Sequence, residues 1–94
     1  MELRWLKRAL EDLDAIAGYI ARDNPVAAQS LVRSIRDKTE NLISYPYMGR
    51  ATEQADIREF FVHEHYLVSY RIRPGRIEIL QVWHTAQDRR GGHR

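Results

Sequence analysis

Cysteine is absent from this chain of 94 residues. Its absence excludes disulfides, thiolate nucleophiles and cysteine-ligated zinc, and it suits a reducing cytoplasm, where the protein is expected to reside. Long hydrophobic runs are missing too. No stretch approaches the ~20 apolar residues that cross a bilayer, and the opening Met1-Glu2-Leu3-Arg4-Trp5 has no apolar core of the export-signal type. Neither membrane insertion nor secretion is expected. There is no glycine-rich phosphate loop, no Ser-His-Asp order, no internal repeat and no interior linker. A strong charge of one sign is also lacking. Fifteen Lys and Arg face thirteen Asp and Glu, for a formal net charge of +2, so the distribution of charge matters more than its sum.

What is present is enough for one small domain. Hydrophobic residues make up 44% of the chain, ordinary for a globular protein and too many for a wholly disordered one. The basic residues gather late. From residue 71 onward there are arginines at 71, 73, 76, 89, 90 and 94, against only Glu78 and Asp88. A negatively charged partner would meet this third of the chain first.

Glu2–Trp5 reads as a short strand. After it Leu6, Ala9, Leu10, Leu13, Ile16, Ala17 and Ile20 recur at spacings of three and four, the stripe of an amphipathic helix over about 7–22. Gly18 is a weak point in it. Asp23-Asn24-Pro25 then reads as a stop and a new start, because Asn caps helices well and Pro is welcome at the first helical position. Ala28, Leu31, Val32, Ile35, Thr39, Leu42 and Ile43 carry a second stripe. That helix should end near Ser44, since Pro46 disfavours helical geometry at Tyr45. Two amphipathic helices joined by so short a turn form an antiparallel hairpin.

Residues 45–56 are a connection without a period. Beyond them the period becomes two: Phe60 and Val62, then Tyr66, Val68, Tyr70 and Ile72, with the β-branched and aromatic content of strands. His63-Glu64-His65 reads as a tight turn and Arg73-Pro74-Gly75-Arg76 as a stronger one. Ile77–Trp83 is the last strand. Its adjacent Ile79-Leu80 points to a central strand covered on both faces, or to a bulge. The fold class is therefore α+β: an N-terminal strand, an antiparallel helical hairpin and a three-stranded antiparallel meander, with the hairpin on one face of the sheet. Residues 1–84 form the domain, and residues 85–94 are a polar, basic tail expected to be mobile.

Several segments in this order resemble the ParE branch of the ParE/RelE toxin superfamily. Trp5-Leu6-Lys7-Arg8-Ala9-Leu10-Glu11-Asp12-Leu13 is similar to the family's opening, an aromatic before an "A-x-x-D-L" helix start. Tyr19-Ile20-Ala21-Arg22-Asp23-Asn24-Pro25 resembles its inter-helix segment. Pro46-Tyr47-Met48-Gly49-Arg50 is similar to its "P-x-x-G-R" loop, and His84-Thr85-Ala86-Gln87-Asp88 to its "H-x-A-x-D" ending. The resemblance implies a growth-inhibiting toxin of a type II toxin–antitoxin module, neutralised by a ParD-like ribbon-helix-helix antitoxin. In such modules the antitoxin, not the toxin, touches DNA. ParE-branch toxins are taken to inhibit DNA gyrase, while RelE-branch relatives cut mRNA on the ribosome, so one scaffold hosts two activities. An inactive relative that only binds an antitoxin is a third expectation.

The candidate residues follow from this. Metal-free RNA cleavage needs a base for the 2′-hydroxyl, an acid for the 5′-oxygen and cations for the developing charge. Arg58, Arg71 and His84 are the candidates for such a metal-independent endoribonuclease, although no tyrosine follows His84. For a toxin that binds gyrase without catalysis, the favoured expectation, the target-binding candidates are Arg71, His84, Arg89 and Arg90. The plain alternatives are a strand-end His84 bonded to backbone, an Arg71 paired with a carboxylate and a tail that merely aids solubility. His63 and His65 share a strand face but lack a third ligand, so no metal or other cofactor is expected. Tyr66 and Tyr70 should be core with hydroxyls partnered at the edge, and Trp5 and Trp83 packing residues.

Overall fold

The break at Asn24-Pro25 falls where the sequence places it in a computed structural model, which describes residues 1–85. The elements run β1 (Glu2–Trp5), α1 (Lys7–Ala21), α2 (Pro25–Ser44), β2 (Arg50–Ala51), β3 (Ile57–His63), β4 (Tyr66–Arg73) and β5 (Arg76–His84). Asn24 Oδ1 accepts the N–H of Ala27 at 3.0 Å, and Pro25 opens the helix behind it. This satisfies one of the orphan N–H groups of the first turn. The Arg89 and Arg90 candidates, and the tail apart from Thr85, lie outside the described residues.

The strands form one sheet in the order β1-β5-β4-β3-β2. β1 lies parallel to β5, with Glu2 opposite Arg76 and Trp5 opposite Ile79, and the remaining pairs are antiparallel. At the β4–β5 turn Pro74 supplies a fixed φ, and Gly75 takes φ +77°, the positive value that L side chains avoid. The carbonyl of Gly75 accepts the N–H of Glu2 at 2.9 Å and so starts the β1 ladder. β2 is an addition to the expected meander. It pairs only Arg50 with Glu59 and Ala51 with Arg58, and two residues are too few to show a period.

The bulge reading of Ile79-Leu80 holds, in an interior strand that the helices cover on one face only. β5 is central, between β1 and β4, and its register to β4 slips so that Ser69 faces Gln81 while Tyr70 faces Ile79. Leu80 is the extra residue, a β-bulge. The slip changes which parity faces inward: Ile77 and Ile79 before it and Val82 after it all enter the core. A second slip between Phe61 and His63 makes Val62 the extra residue of β3, also buried.

The helices cover one face of this sheet. Ala9 and Leu13 of α1 and Ile35 and Leu42 of α2 meet Val62, Tyr66, Val68, Tyr70, Ile77, Ile79 and Val82, with Leu3, Trp5, Ile16 and Leu31 packed around them. Each large aliphatic side chain so buried stabilises the fold by about 1.5–3 kcal/mol. The opposite face is not bare. Leu67 is 1% exposed yet lies outside this cluster, flanked in register by Phe61 and Trp83. Trp83 therefore stands on the face away from the helices, where its indole N–H donates to Ser69 Oγ at 2.8 Å. No helix among the described residues is long and apolar enough to cross a membrane.

Candidate functional site

The functional candidates fall in three places. The first is the connection after α2, held from below by β3 and β4. Tyr70, fully buried, donates its hydroxyl to the carbonyl of Pro46 at 2.7 Å and accepts the N–H of Gly49 at 2.9 Å. Burial raises the Tyr70 hydroxyl above its ordinary value, against the lowering effects of the Gly49 bond and the nearby Arg58. Arg58 donates to the carbonyl of Gly49 at 2.6 Å and to that of Tyr47 at 3.4 Å, and its guanidinium lies 5.0 Å from the Tyr47 ring centre. Gly49 has no room for a side chain. A Cβ there would sit 2.6 Å from the Tyr70 oxygen and 2.8 Å from the carbonyl of Glu59. The P-x-x-G-R segment is thus a fastened loop, and Arg58 is its clasp.

The second place is the helix-free face of the sheet. Arg71 Nε and Nη2 both donate to Glu78 Oε1, at 3.0 and 2.8 Å, while Arg76 grips Glu78 Oε2 at 3.0 Å. The Arg71 bonds hold the Glu78 carboxyl below its ordinary value, burial opposes them, and Arg76 adds to the lowering. The carboxylate partner that the sequence left unnamed for Arg71 is therefore its register neighbour across the β4–β5 turn.

The third place is the end of the sheet where β3 turns into β4 and β5 finishes. Register pairs Tyr66 with His84, and their rings meet edge to face at 5.0 Å. The His65 ring is parallel to His84 at 5.9 Å, and His63 lies 5.7 Å from His65 and 5.8 Å from Tyr66. His63 Nδ1 accepts the N–H of His65, and the carbonyl of His65 accepts that of Thr85. Burial and then the charge of Tyr19 raise the Tyr66 hydroxyl. Among the described residues no group of three or more His, Asp or Glu is arranged to hold a metal ion.

Arg58, Arg71 and His84 do not converge. Arg58 pairs with Tyr70 and shares the helix-side face, whereas Arg71, one residue on, points to the other face. His84 pairs with Tyr66, four residues along β4 from Tyr70, so it lies about 13 Å from the Arg58 row at ~3.3 Å per residue. Sequence reasoning missed His65 and Tyr66 as company for His84. The β4–β5 turn by itself would set residue 66 opposite residue 83; the bulge at Leu80 moves its partner to residue 84, and the adjacent Ile79-Leu80 was the signal for that slip.

A groove of ≈ 910 Å³ runs between the helices. Ala17, Gly18 and Ala21 of α1 and Pro25, Ala28 and Val32 of α2 line it, with Arg33, Arg36, Asp37 and Glu40 among its charged members. A Cβ on Gly18 would meet nothing within 4 Å.

Comparisons with known proteins agree with this architecture. The family model described as the ParE toxin of the type II toxin–antitoxin system parDE matches residues 3–89. The chain is 35% identical over 83 residues to Toxin RelE2 of Caulobacter vibrioides, covering 88% of this chain and 93% of that protein. It is 38% identical over 86 residues to the putative toxin Y4kP of Sinorhizobium fredii, covering 90% and 88% respectively. Among solved structures, the chromosomal ParDE system of P. aeruginosa superposes with a TM-score of 0.80 at 25% identity, over 89% of this chain and 95% of that one. A YoeB/ParE toxin from Agrobacterium tumefaciens shares the fold with a TM-score of 0.64 at 18% identity, over 89% and 98%.

Proposed function

Because the chain belongs to the ParE toxin family of type II toxin–antitoxin systems, we propose that it arrests growth by binding DNA gyrase, the toxin itself making and breaking no bond. One observation carries this reading: the cations wanted for RNA cleavage are committed elsewhere. Arg58 fastens the loop through the carbonyls of Tyr47 and Gly49, and Arg71 is held by a buried Glu78 on the opposite face. A phosphorane-like charge needs preorganised donors aimed at one point, and these two aim at different ones. Arg71 and His84, with Arg89 and Arg90 beyond them, are the target-binding residues of this reading, acting in the cytoplasm.

A ParD-like ribbon-helix-helix antitoxin neutralises the toxin and makes the module's DNA contacts. The ParDE system of P. aeruginosa, similar in structure, supports an antitoxin as partner. The inter-helix groove and the exposed sheet edges suit the two common modes of peptide capture, helix-in-groove binding and strand addition.

A second reading, ribosome-dependent mRNA cleavage, is favoured by the ring cluster of His65, His84 and Tyr66. Imidazoles are the commonest proton-transfer groups. One pair of assays separates the readings. Purified toxin added to gyrase stops supercoiling of relaxed plasmid if the first holds, and mRNA in a translating extract stays intact. Unaffected supercoiling with cleaved transcripts, the cleavage abolished in His84→Ala, would reject it in favour of the second.

A further inference from the structure

The fastened loop after α2 displays what it holds. Tyr45, Tyr47 and Met48 are 66%, 68% and 46% exposed, although large apolar side chains have every thermodynamic reason to be inward. Their backbone is fixed throughout. The carbonyls of Pro46, Tyr47 and Gly49 are taken by Tyr70 and Arg58. The N–H of Met48 bonds the carbonyl of Tyr45, and that of Gly49 bonds Tyr70. The far end is tied into the sheet through β2. The Tyr47 ring is further steadied by the Arg58 guanidinium. Solvated loops need no such scaffold. Exposed Tyr and Met on a backbone already in one conformation have the composition and the low ordering cost of a protein-binding hot spot.

Charge selects the kind of partner. A nucleic acid would need cations beside the rings to meet its phosphates, and the two nearby are engaged: Arg58 with loop carbonyls and Arg50 with Glu59. The charges left at this edge of the sheet are acidic. Glu53 and Asp56, exposed in the β2–β3 turn, form no ion pair among the described residues.

From this we infer that the loop Tyr45–Met48 is the target-docking element of the toxin, inserting its side chains into an apolar cleft with a basic rim on a protein surface. The inference rests on the gyrase reading above and gives that reading a contact site apart from Arg71 and His84.

The test compares wild-type toxin with Tyr47→Ala/Met48→Ala in gyrase supercoiling and in titration with the cognate antitoxin. The double variant should need at least about tenfold more toxin for half-inhibition, the loss expected for hot-spot side chains, while antitoxin affinity stays within about threefold. Glu53→Lys/Asp56→Lys should weaken inhibition several-fold, more at low salt than at high. Tyr45→Ala, which removes an exposed side chain and leaves the loop's backbone hydrogen bonds in place, serves should the double variant misfold by circular dichroism. Equal inhibition by folded variants and wild type overturns the inference. So does loss of antitoxin binding in parallel with inhibition, which would make the loop an antitoxin contact. So does a wild-type dimer in sedimentation that the double variant dissolves, which would make it a self-association surface. If wild-type toxin itself leaves supercoiling untouched, the gyrase reading is what has failed, and the loop loses its named partner with it.

Discussion

The carboxylate of Asp12 accepts the backbone N–H of Val82 at 3.0 Å, so the first helix supplies a hydrogen bond that the first strand does not reach to give. β1 follows β5 only as far as Ile79, whose carbonyl takes the N–H of Leu6 as the chain turns into α1. Past the bulge at Leu80, Val82 would face an open edge, and Asp12 closes it. Arg8, one turn earlier, steadies the same carboxylate at 3.2 Å. Asp12 in the family-like opening is thus a fastening between helix and sheet.

Asp12→Ala should destabilise the protein by about 1–3 kcal/mol, the range for losing a charged hydrogen-bond partner of a sheltered donor. Asp12→Asn keeps an acceptor oxygen and should lose less than half as much. Urea midpoints of the three proteins check this. Equal losses in Ala and Asn would mean that charge, not the bond to Val82, matters.

Gly49→Ala should cost more than about 2 kcal/mol, because its Cβ meets the Tyr70 ring and the Glu59 carbonyl, neither a flexible chain end. Tyr70→Phe alone should cost about 1–3 kcal/mol by stranding the Pro46 carbonyl and the Gly49 N–H. Phe retains the ring carbon that a Cβ would strike at 2.7 Å, so Tyr70→Phe should not rescue Gly49→Ala. Thermal denaturation of the double variant decides the point.

The Arg71–Glu78–Arg76 cluster should make stability fall on the acid side. Glu78 is held below its ordinary value in the folded state. Its contribution is therefore fully present above the ordinary glutamate range, from about pH 5 upward, and is lost as pH falls through the depressed value. Glu78→Gln should be less stable near neutrality and show a flatter decline in urea midpoint between about pH 5 and pH 2. Parallel curves for variant and wild type would assign the acid limb to other carboxylates.

Gly18 sits in the middle of α1 with no positive φ and open space around its missing side chain. Gly18→Ala should raise the stability of the free toxin by about 1 kcal/mol through helix propensity. The added methyl would project from the residue lining the inter-helix groove, so antitoxin binding should weaken even as the melting temperature rises. Tighter or unchanged binding would move the antitoxin elsewhere.

The elements were legible in the residues because each had a strong local signal: the two helical stripes, the Asn24-Pro25 restart, the Pro74-Gly75 turn. β2 was not, since its two residues pair only because Tyr70 and Arg58 have already placed the loop beside β3. The candidate site was legible by residue type and not by arrangement. Arg58 and Arg71 read as cations of one nuclease site, with a carboxylate-paired Arg71 as the plain alternative; strand alternation sends them to opposite faces, and Arg71 does find a carboxylate, that of Glu78. Only register, with the bulge at Val62, separates the two.

The parallel pairing of β1 with β5 has a consequence for biosynthesis. The helical hairpin can assemble as soon as its residues leave the ribosome, but β5 follows both helices and three further strands along the chain, and the first strand must wait for it. Closing so distant a contact is slow compared with forming the helices. A nascent toxin therefore has its helical hairpin before its finished sheet, and an antitoxin present during synthesis meets the hairpin first.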